Sequence, residues 1–264
     1  MIRNIYLIVF NLIVFNLFLF PLIISTTYAG EAILIPELSK ILKNIRSLED
    51  KSTLHGKEYL IKKFYYQIQY QKQKLEILNE VKGHFEKSIN KAEEKYDEGE
   101  ENISQTDITK LKLGLAGTLN DIYETETNLK TSKLSLSDIL DTNYDINSKM
   151  FSPDILPVKF EFNNYEEWSL QNKIVSKINK RVILLKKSFL KVNEKKNKML
   201  LARKNRKMTR ALLVSEVANY DFGIGDPGDL FQALIIYTRV LSGYYESVYK
   251  FNLSVAELNR NKNL

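Results

Sequence analysis

Residues 219–234 read NYDFGIGDPGDLFQAL and interrupt a long run of helical sequence. Three glycines and a proline end one helix, and the pattern of a second helix begins at once. Gly223 suits the left-handed position that follows a helix C-terminus. Asp226, with Pro227 after it, suits an N-cap and the first helical position. The stretch therefore predicts a tight turn between two antiparallel helices.

A second stretch of the chain repeats this turn. Residues 95–111 read KYDEGEENISQTDITKL, with the same Tyr-Asp-x-Gly before the break and an Asp-Ile where the first has Asp-Leu. Gly99 and Gly223 are 124 positions apart (223 minus 99). Thr106 or Asp107 suits the start of the helix that follows. The sequence thus predicts two copies of a helix–turn–helix unit.

Apolar residues recur three or four positions apart on both sides of each turn, which indicates four long amphipathic helices. The stripes begin near Leu60 and Ile108 in the first copy, and run over about 165–220 and 229–260 in the second. Helices this long suit an extended hairpin or coiled coil. The predicted fold is all-α, with two long antiparallel helical hairpins and little or no β structure.

The predicted organisation has a first hairpin repeat at 30–140, a connector at 141–164 and a second hairpin repeat at 165–264. Within the connector, apolar residues alternate with polar ones over a stretch long enough for one short strand. These alternating residues are Leu156, Val158, Phe160 and Phe162.

Residues 1–29 have the parts of a signal peptide. Arg3 precedes an apolar run from Ile5 to Ile24, and the small-residue exit ends at Ala29. An uncleaved membrane anchor is the alternative, since the apolar run is about twenty residues long. We expect an exported protein, in the periplasm or outer membrane of a Gram-negative-type cell.

Little in the composition points to chemistry. The chain has no cysteine, and its two histidines, His55 and His84, stand without carboxylates at metal-ligand spacing. It contains no nucleophile elbow, phosphate-binding loop or dinucleotide fingerprint. We therefore expect no enzyme activity, no cofactor and no metal, and export argues against a nucleic-acid partner.

Charge is distributed unevenly along the chain. Residues 173–210 hold fifteen Lys and Arg with a single acid, whereas the two turns are rich in acids and the second has no basic residue close in sequence. We expect the basic segment near the end opposite the turns, facing an anionic surface; an ordinary solvated helix face is the alternative. The candidate contacts are Lys186, Lys187, Lys195, Lys196, Arg203 and Arg206.

The twin turns resemble those of the TolC family of outer membrane efflux proteins. In that family a Tyr or Phe, a Gly and an Asp-Leu or Asp-Val mark each turn, and a helix rich in Leu and Tyr follows. The second copy matches well and the first more loosely. The matching residues are Tyr220, Gly223, Asp229 and Leu230, and then Tyr96, Gly99, Asp107 and Leu111. The resemblance is to a shortened member, since the family's paired strands have no counterpart in this sequence.

This resemblance implies a homotrimer whose helices form a periplasmic tunnel for export, working with an adaptor protein and an inner-membrane pump. The turns would then be the tips of the tunnel, with Asp221, Asp226 and Asp229 facing its aperture. Asp229 matches the acidic constriction position of the family; as an alternative it only caps its helix. The alternative function is a periplasmic coiled-coil module that binds partners without forming a pore.

Overall fold

The computed structural model describes residues 33–99, 103–174 and 180–263. The predicted signal peptide at 1–29 lies outside these ranges. Within them the chain forms short helices and strands beside four long helices. The elements are β1 (Leu34–Ile35), α1 (Leu38–Leu48), α2 (Lys51–Asp97), α3 (Gln105–Leu140), β2 (Lys149–Met150), α4 (Tyr165–Gln171), α5 (Lys180–Asp221) and α6 (Pro227–Asn263).

The four long helices make two antiparallel hairpins, α2 with α3 and α5 with α6. Helix α6 packs against all three of the other long helices, while α2 packs against α3 and α6. In contrast, α5 packs along α6 and reaches α2 through side chains at its C-terminal end. The predicted all-α fold of two long hairpins is confirmed, and α3 and α5 form its two outer edges.

Buried apolar side chains form two clusters along the hairpins. The tip cluster lies beside both turns and includes Phe85, Ile108, Tyr220 and Leu230. The second cluster, at the opposite half, includes Trp168 and the apolar face of α1. Because residues from both turns share one cluster, the two turns lie at the same end of the molecule.

The connector differs from its predicted form. The strand in it is β2, which pairs in parallel with β1. The segment with alternating residues forms no strand, and two of its backbone groups bind one side chain of α6 instead. Val158 N–H donates to Asn252 Oδ1 at 2.9 Å, and the Asn252 amide donates to Leu156 C=O at 2.8 Å. The predicted alternation holds for Val158, Phe160 and Phe162, which lie against the core, but not for Leu156, which is exposed.

The helix predicted over about 165–220 is broken into α4 and α5. The backbone N–H groups of Lys173 and Ile174 donate to the carbonyls of Leu170 and Ser169, at 3.0 and 2.9 Å. This is the double hydrogen bond that closes many helices, with Lys173 at φ 54° in the left-handed position where glycine is usual. The sequence carried no glycine to signal this end, so periodicity alone predicted a continuous helix.

Candidate functional site: the two helical tips

The second turn closes α5 with a pair of backbone hydrogen bonds. Gly223 N–H donates to Tyr220 C=O at 3.1 Å, and Ile224 N–H donates to Asn219 C=O at 3.0 Å. Gly223 has φ 77°, a left-handed backbone conformation that costs energy for any residue with a Cβ atom. The turn thus satisfies the last carbonyls of α5 within three residues, as the sequence predicts.

Gly225 lies directly against the end of α5. A Cβ atom at this position would lie 2.8 Å from Tyr220 N and 2.9 Å from the carbonyl carbon of Asn219. The turn therefore accepts no side chain here. Next to it, Asp226 begins α6, because its carboxylate accepts from Gly228 N–H and its carbonyl accepts from Leu230 N–H at 3.2 Å. Asp226 is thus the N-cap of α6.

Two lysines of the other hairpin bind Asp221. Lys87 Nζ donates to its carboxylate at 2.7 Å, and Lys91 Nζ lies 4.0 Å from the same group. Lys91 Nζ also donates to two carbonyls at the end of α5, those of Tyr220 at 3.0 Å and Asp221 at 2.7 Å. Asp221 has no basic residue close to it in sequence, but α2 supplies two in space; its place at an aperture stays a prediction. We call these contacts of Lys87 and Lys91 with the end of α5 the tip latch.

Tyr220 fastens the same end of α5 to the first hairpin. Its hydroxyl donates to the backbone carbonyl of Ser88 at 3.1 Å, and its ring lies 5.3 Å from Lys91 Nζ. The side chain is buried in the tip cluster. Tyr220 is therefore a packing residue of the tip, in contact with α2.

The first turn has a related but longer geometry. Gly99 has φ 81°, and its N–H donates to Tyr96 C=O at 3.1 Å. Helix α3 begins with a capping box in which Ser104 is the N-cap and Asp107 is the third helical residue. The hydrogen bond from Ser104 lowers the pKa of the Asp107 carboxyl. The sequence analysis predicts the cap at Thr106 or Asp107, whereas the N-cap is Ser104. The Ser-x-x-Asp spacing from Ser104 to Asp107 is the sequence pattern that identifies it.

Asp229 differs from the other acids of the turns. It is exposed in the first turn of α6, and its carboxylate makes no hydrogen bond or ion pair within the described ranges. The N-cap is Asp226, so Asp229 stabilises α6 only through its negative charge near the helix N-terminus. Beside it, Phe222 and Ile224 are 81% and 79% exposed, which is unusual for two large apolar side chains on one short turn.

Lys95, Ile103 and the second turn together line a cavity of about 250 Å³ between the tips. It brings Gly223 and Asp226 next to the end of α2 and the start of α3. The two turns therefore form one continuous surface at this end of the molecule.

The basic candidates are spread along α5 and do not gather at the end opposite the tips. Lys186 lies at that end, 5.3 Å from the Tyr165 ring and 4.0 Å from Glu166. Arg206 lies near the middle of the hairpin, with its guanidinium 4.5 Å from the Tyr244 ring. Farther along, Arg210 lines a cavity together with Asp221 of the tip latch.

The remaining basic candidates have few partners. Lys195 Nζ lies 3.1 Å from Glu194, one position before it. The other three make no ion pair in the part of the chain that the structure describes; these are Lys187, Lys196 and Arg203. The structure thus leaves a largely unneutralised basic face on α5, and contact with an anionic surface stays a prediction.

The tip latch makes a direct prediction about local stability. Lys91→Met should increase amide exchange over residues 219–226 by a factor equivalent to about 1–3 kcal/mol, because it removes charged donors from two helix-end carbonyls. Lys87→Met removes an ion pair that is largely exposed, and should change exchange by less than about 1 kcal/mol. Hydrogen exchange on both variants checks this; equal effects would show that the carbonyl contacts contribute nothing beyond the ion pairs.

The described residues contain neither a membrane-spanning helix nor a cluster of side chains placed to bind a metal ion. No helix in these ranges combines the length and apolarity of a membrane span. Groups of three or more His, Asp or Glu side chains placed to hold a metal ion were also not found there.

Comparison with known proteins gives a structural likeness. No family model matches the chain, and no curated protein matches it. Among solved structures, one described as the outer-membrane channel OprN is similar, with a TM-score of 0.63 and 10% sequence identity. The match covers 86% of this chain and 70% of the channel. At this identity the likeness concerns the fold, so the chain has a TolC-like helical fold.

Proposed function

We propose that this protein is a TolC-like efflux component whose helices, contributed by several copies, form the wall of a periplasmic tunnel at the outer membrane. The observation that carries the proposal is the open pair of edges in the four-helix arrangement. One chain buries α2 and α6 but leaves α3 and α5 with partners on one side only. A wall built from several copies covers both edges.

The outer face of α5 carries an apolar stripe that nothing covers within the chain. Its exposed apolar residues are seven, eleven and seven positions apart, which places them on one face of the helix. Leu190 and Leu201 are 66% and 61% exposed. The residues of the stripe are Ile183, Leu190, Leu201 and Met208. Such a stripe beside a helix edge is typical of a helix–helix interface.

The outer face of α3 complements this stripe. Leu113 and Tyr123 are 67% and 64% exposed, and residues 114–129 hold three acids and no base. Residues 180–210 of α5 hold thirteen bases and one acid. Opposite charges on the two edges favour contact between α3 of one copy and α5 of the next, a head-to-tail arrangement that closes into a ring. Three copies per ring is the number that the family resemblance implies.

The tips would then face the aperture and the partners. In a ring, each copy contributes one Asp229, whose free carboxylate is the candidate for a cation-selective constriction. Phe222 and Ile224 supply an exposed apolar surface for a periplasmic adaptor, through which the tunnel would join an inner-membrane pump. Export of the protein rests on the sequence of residues 1–29.

Assembly can be tested with a charge in the stripe. The wild type should give a multimer after membrane fractionation and detergent extraction, measured by light scattering and cross-linking. Leu190→Glu with Leu201→Glu should yield a single chain, because burying two unpaired carboxylates at each interface costs several kcal/mol. Leu156→Glu, at a comparably exposed position on the connector, is the control and should leave the multimer intact.

A wild-type monomer, or a multimer that the double substitution leaves intact, would contradict the tunnel. A soluble monomer that still binds a partner through Phe222 and Ile224 would favour the coiled-coil module without a pore.

A further inference from the structure

A groove runs between α2 and α5, over α6. Helices α2 and α5 both pack on α6, but their backbones do not approach each other closely. Toward one end the connector crosses the groove: Gln69 of α2 binds the carbonyl of Ser152, and Phe160 packs on Phe189 of α5 with ring centroids 5.8 Å apart. Toward the other end the tip latch joins α2 to α5. The groove is therefore closed at both ends.

Two adjacent cavities occupy this central part of the groove. The larger has a volume of about 650 Å³ and lies against α5 and α6. The smaller, about 360 Å³, reaches α2 at Glu80 and His84. Arg210 and Val214 line both cavities, so the two are contiguous. Volumes of this size are typical of sites for small molecules.

Positive charge is concentrated at the larger cavity. Arg206, Lys207 and Arg210 lie within five positions of one another on α5, and all three line it. None of them forms an ion pair within the described ranges, and no carboxylate lines this cavity. The ring of Tyr244 lies against the Arg206 guanidinium, which limits the motion of that side chain. Three neighbouring cations that form no ion pair favour a bound anion.

Beyond the cations the groove is lined by apolar side chains, and then by the carboxylate of Glu80. Ala211, Val214 and Leu241 follow the cations along the cavity, and Val214 is 63% exposed. The smaller cavity continues past Tyr237, whose hydroxyl donates to Glu80 at 2.8 Å. Burial, together with that hydrogen bond, raises the pKa of Tyr237, so the phenol keeps its proton at neutral pH. An anionic head would therefore be attracted at one end and repelled at the other.

We propose that this groove binds a single-chain anionic amphiphile, with its acidic head on Arg206, Lys207 and Arg210 and its alkyl chain along Val214 and Leu241. The head meets the three cations that form no ion pair, and the chain covers the apolar side chains between them and Tyr237. The two contiguous cavities, about 650 and 360 Å³, suit a ligand of about twelve carbons. The site lies within one chain and does not depend on the tunnel proposed above.

Calorimetry with dodecanoate below its critical micelle concentration tests the site on the full chain. We expect saturable binding of one molecule per chain, with no detectable binding of acetate or of dodecyltrimethylammonium at the same concentrations. Arg206→Gln with Arg210→Gln should weaken dodecanoate binding at least tenfold. Val214→Asp should weaken it to a similar degree, and because Val214 is exposed the substitution should leave the fold intact.

The matched control is Lys187→Gln with Lys204→Gln, which removes two cations of α5 that line neither cavity. This variant should bind dodecanoate within twofold of the wild type. Equal weakening in the control would assign the binding to general charge, and equal binding of the dodecyl cation would assign it to apolar contact alone; either result overturns the site. Absence of dodecanoate binding, including the case in which an acidic amphipathic peptide binds instead, would also overturn it.

Discussion

Asn252→Leu is expected to lower the free energy of unfolding by about 2–4 kcal/mol. Asn252 is 1% exposed, and its side chain serves two backbone groups of the connector, the N–H of Val158 and the C=O of Leu156. Leucine has a similar volume but can neither donate nor accept a hydrogen bond. Each partly buried backbone group left without a partner costs about 1–3 kcal/mol. Chemical denaturation of the purified protein measures the change.

Asn259→Leu is the matched control, because Asn259 lies two turns farther along α6, is less buried than Asn252 and makes no side-chain hydrogen bond with the described residues. It should change the free energy of unfolding by less than about 0.5 kcal/mol. Asn252→Asp keeps the acceptor for Val158 N–H and loses the donor, so it should fall between the two. If Asn252→Leu were no more destabilising than Asn259→Leu, the connector would not depend on this amide.

Gly114→Ala is expected to destabilise the protein by about 1–3 kcal/mol, through overpacking at the contact between the two hairpins. Gly114 lies in α3 beneath the rings of Phe85 and Phe231, whose centroids are 6.2 Å apart. A Cβ atom would lie 2.6 Å from the Phe85 ring and 2.9 Å from the Phe231 ring. Phe85 is fully buried and has little room to move, so the clash outweighs the gain in helix propensity.

Gly117, on the same helix, should respond in the opposite direction. A Cβ atom there meets nothing within 4 Å, so Gly117→Ala should stabilise the protein by about 0.5–1 kcal/mol through helix propensity alone. Thermal or chemical denaturation of the two variants measures both changes. Equal changes in the two variants would show that α3 does not pack on Phe85 and Phe231 as described.

These glycines show where sequence information ends. Gly114 and Gly117 occur three positions apart in one helix, and no local pattern distinguishes them. What separates them is the presence of Phe85 and Phe231 above one and of solvent above the other. Both rings come from other helices, so only the packing of α3 on α2 and α6 decides the effect of a methyl group.

The tip latch shows the same limit for charge. The sequence places Asp221 in an acidic turn, and its neighbours in the chain suggest a free carboxylate. Lys87 and Lys91, which bind it, are 134 and 130 positions away. The unpaired carboxylate of the turn is instead Asp229. Residue type identified both aspartates, but only the approach of α2 distinguished the bound one from the free one.

The sequence by itself determined the four long helices and the two tips at which they turn, but not the break between α4 and α5. Hydrophobic periodicity, the left-handed glycines at 99 and 223 and the Asp226-Pro227 start are local features, since each depends on the conformation of residues adjacent in the chain. The tertiary structure alone decided which carboxylate is paired, how the connector is held through Asn252, and where the groove beside Arg206 and Arg210 remains open. These depend on contacts between residues far apart in the chain, whose energies exist only when α2, α5 and α6 lie together.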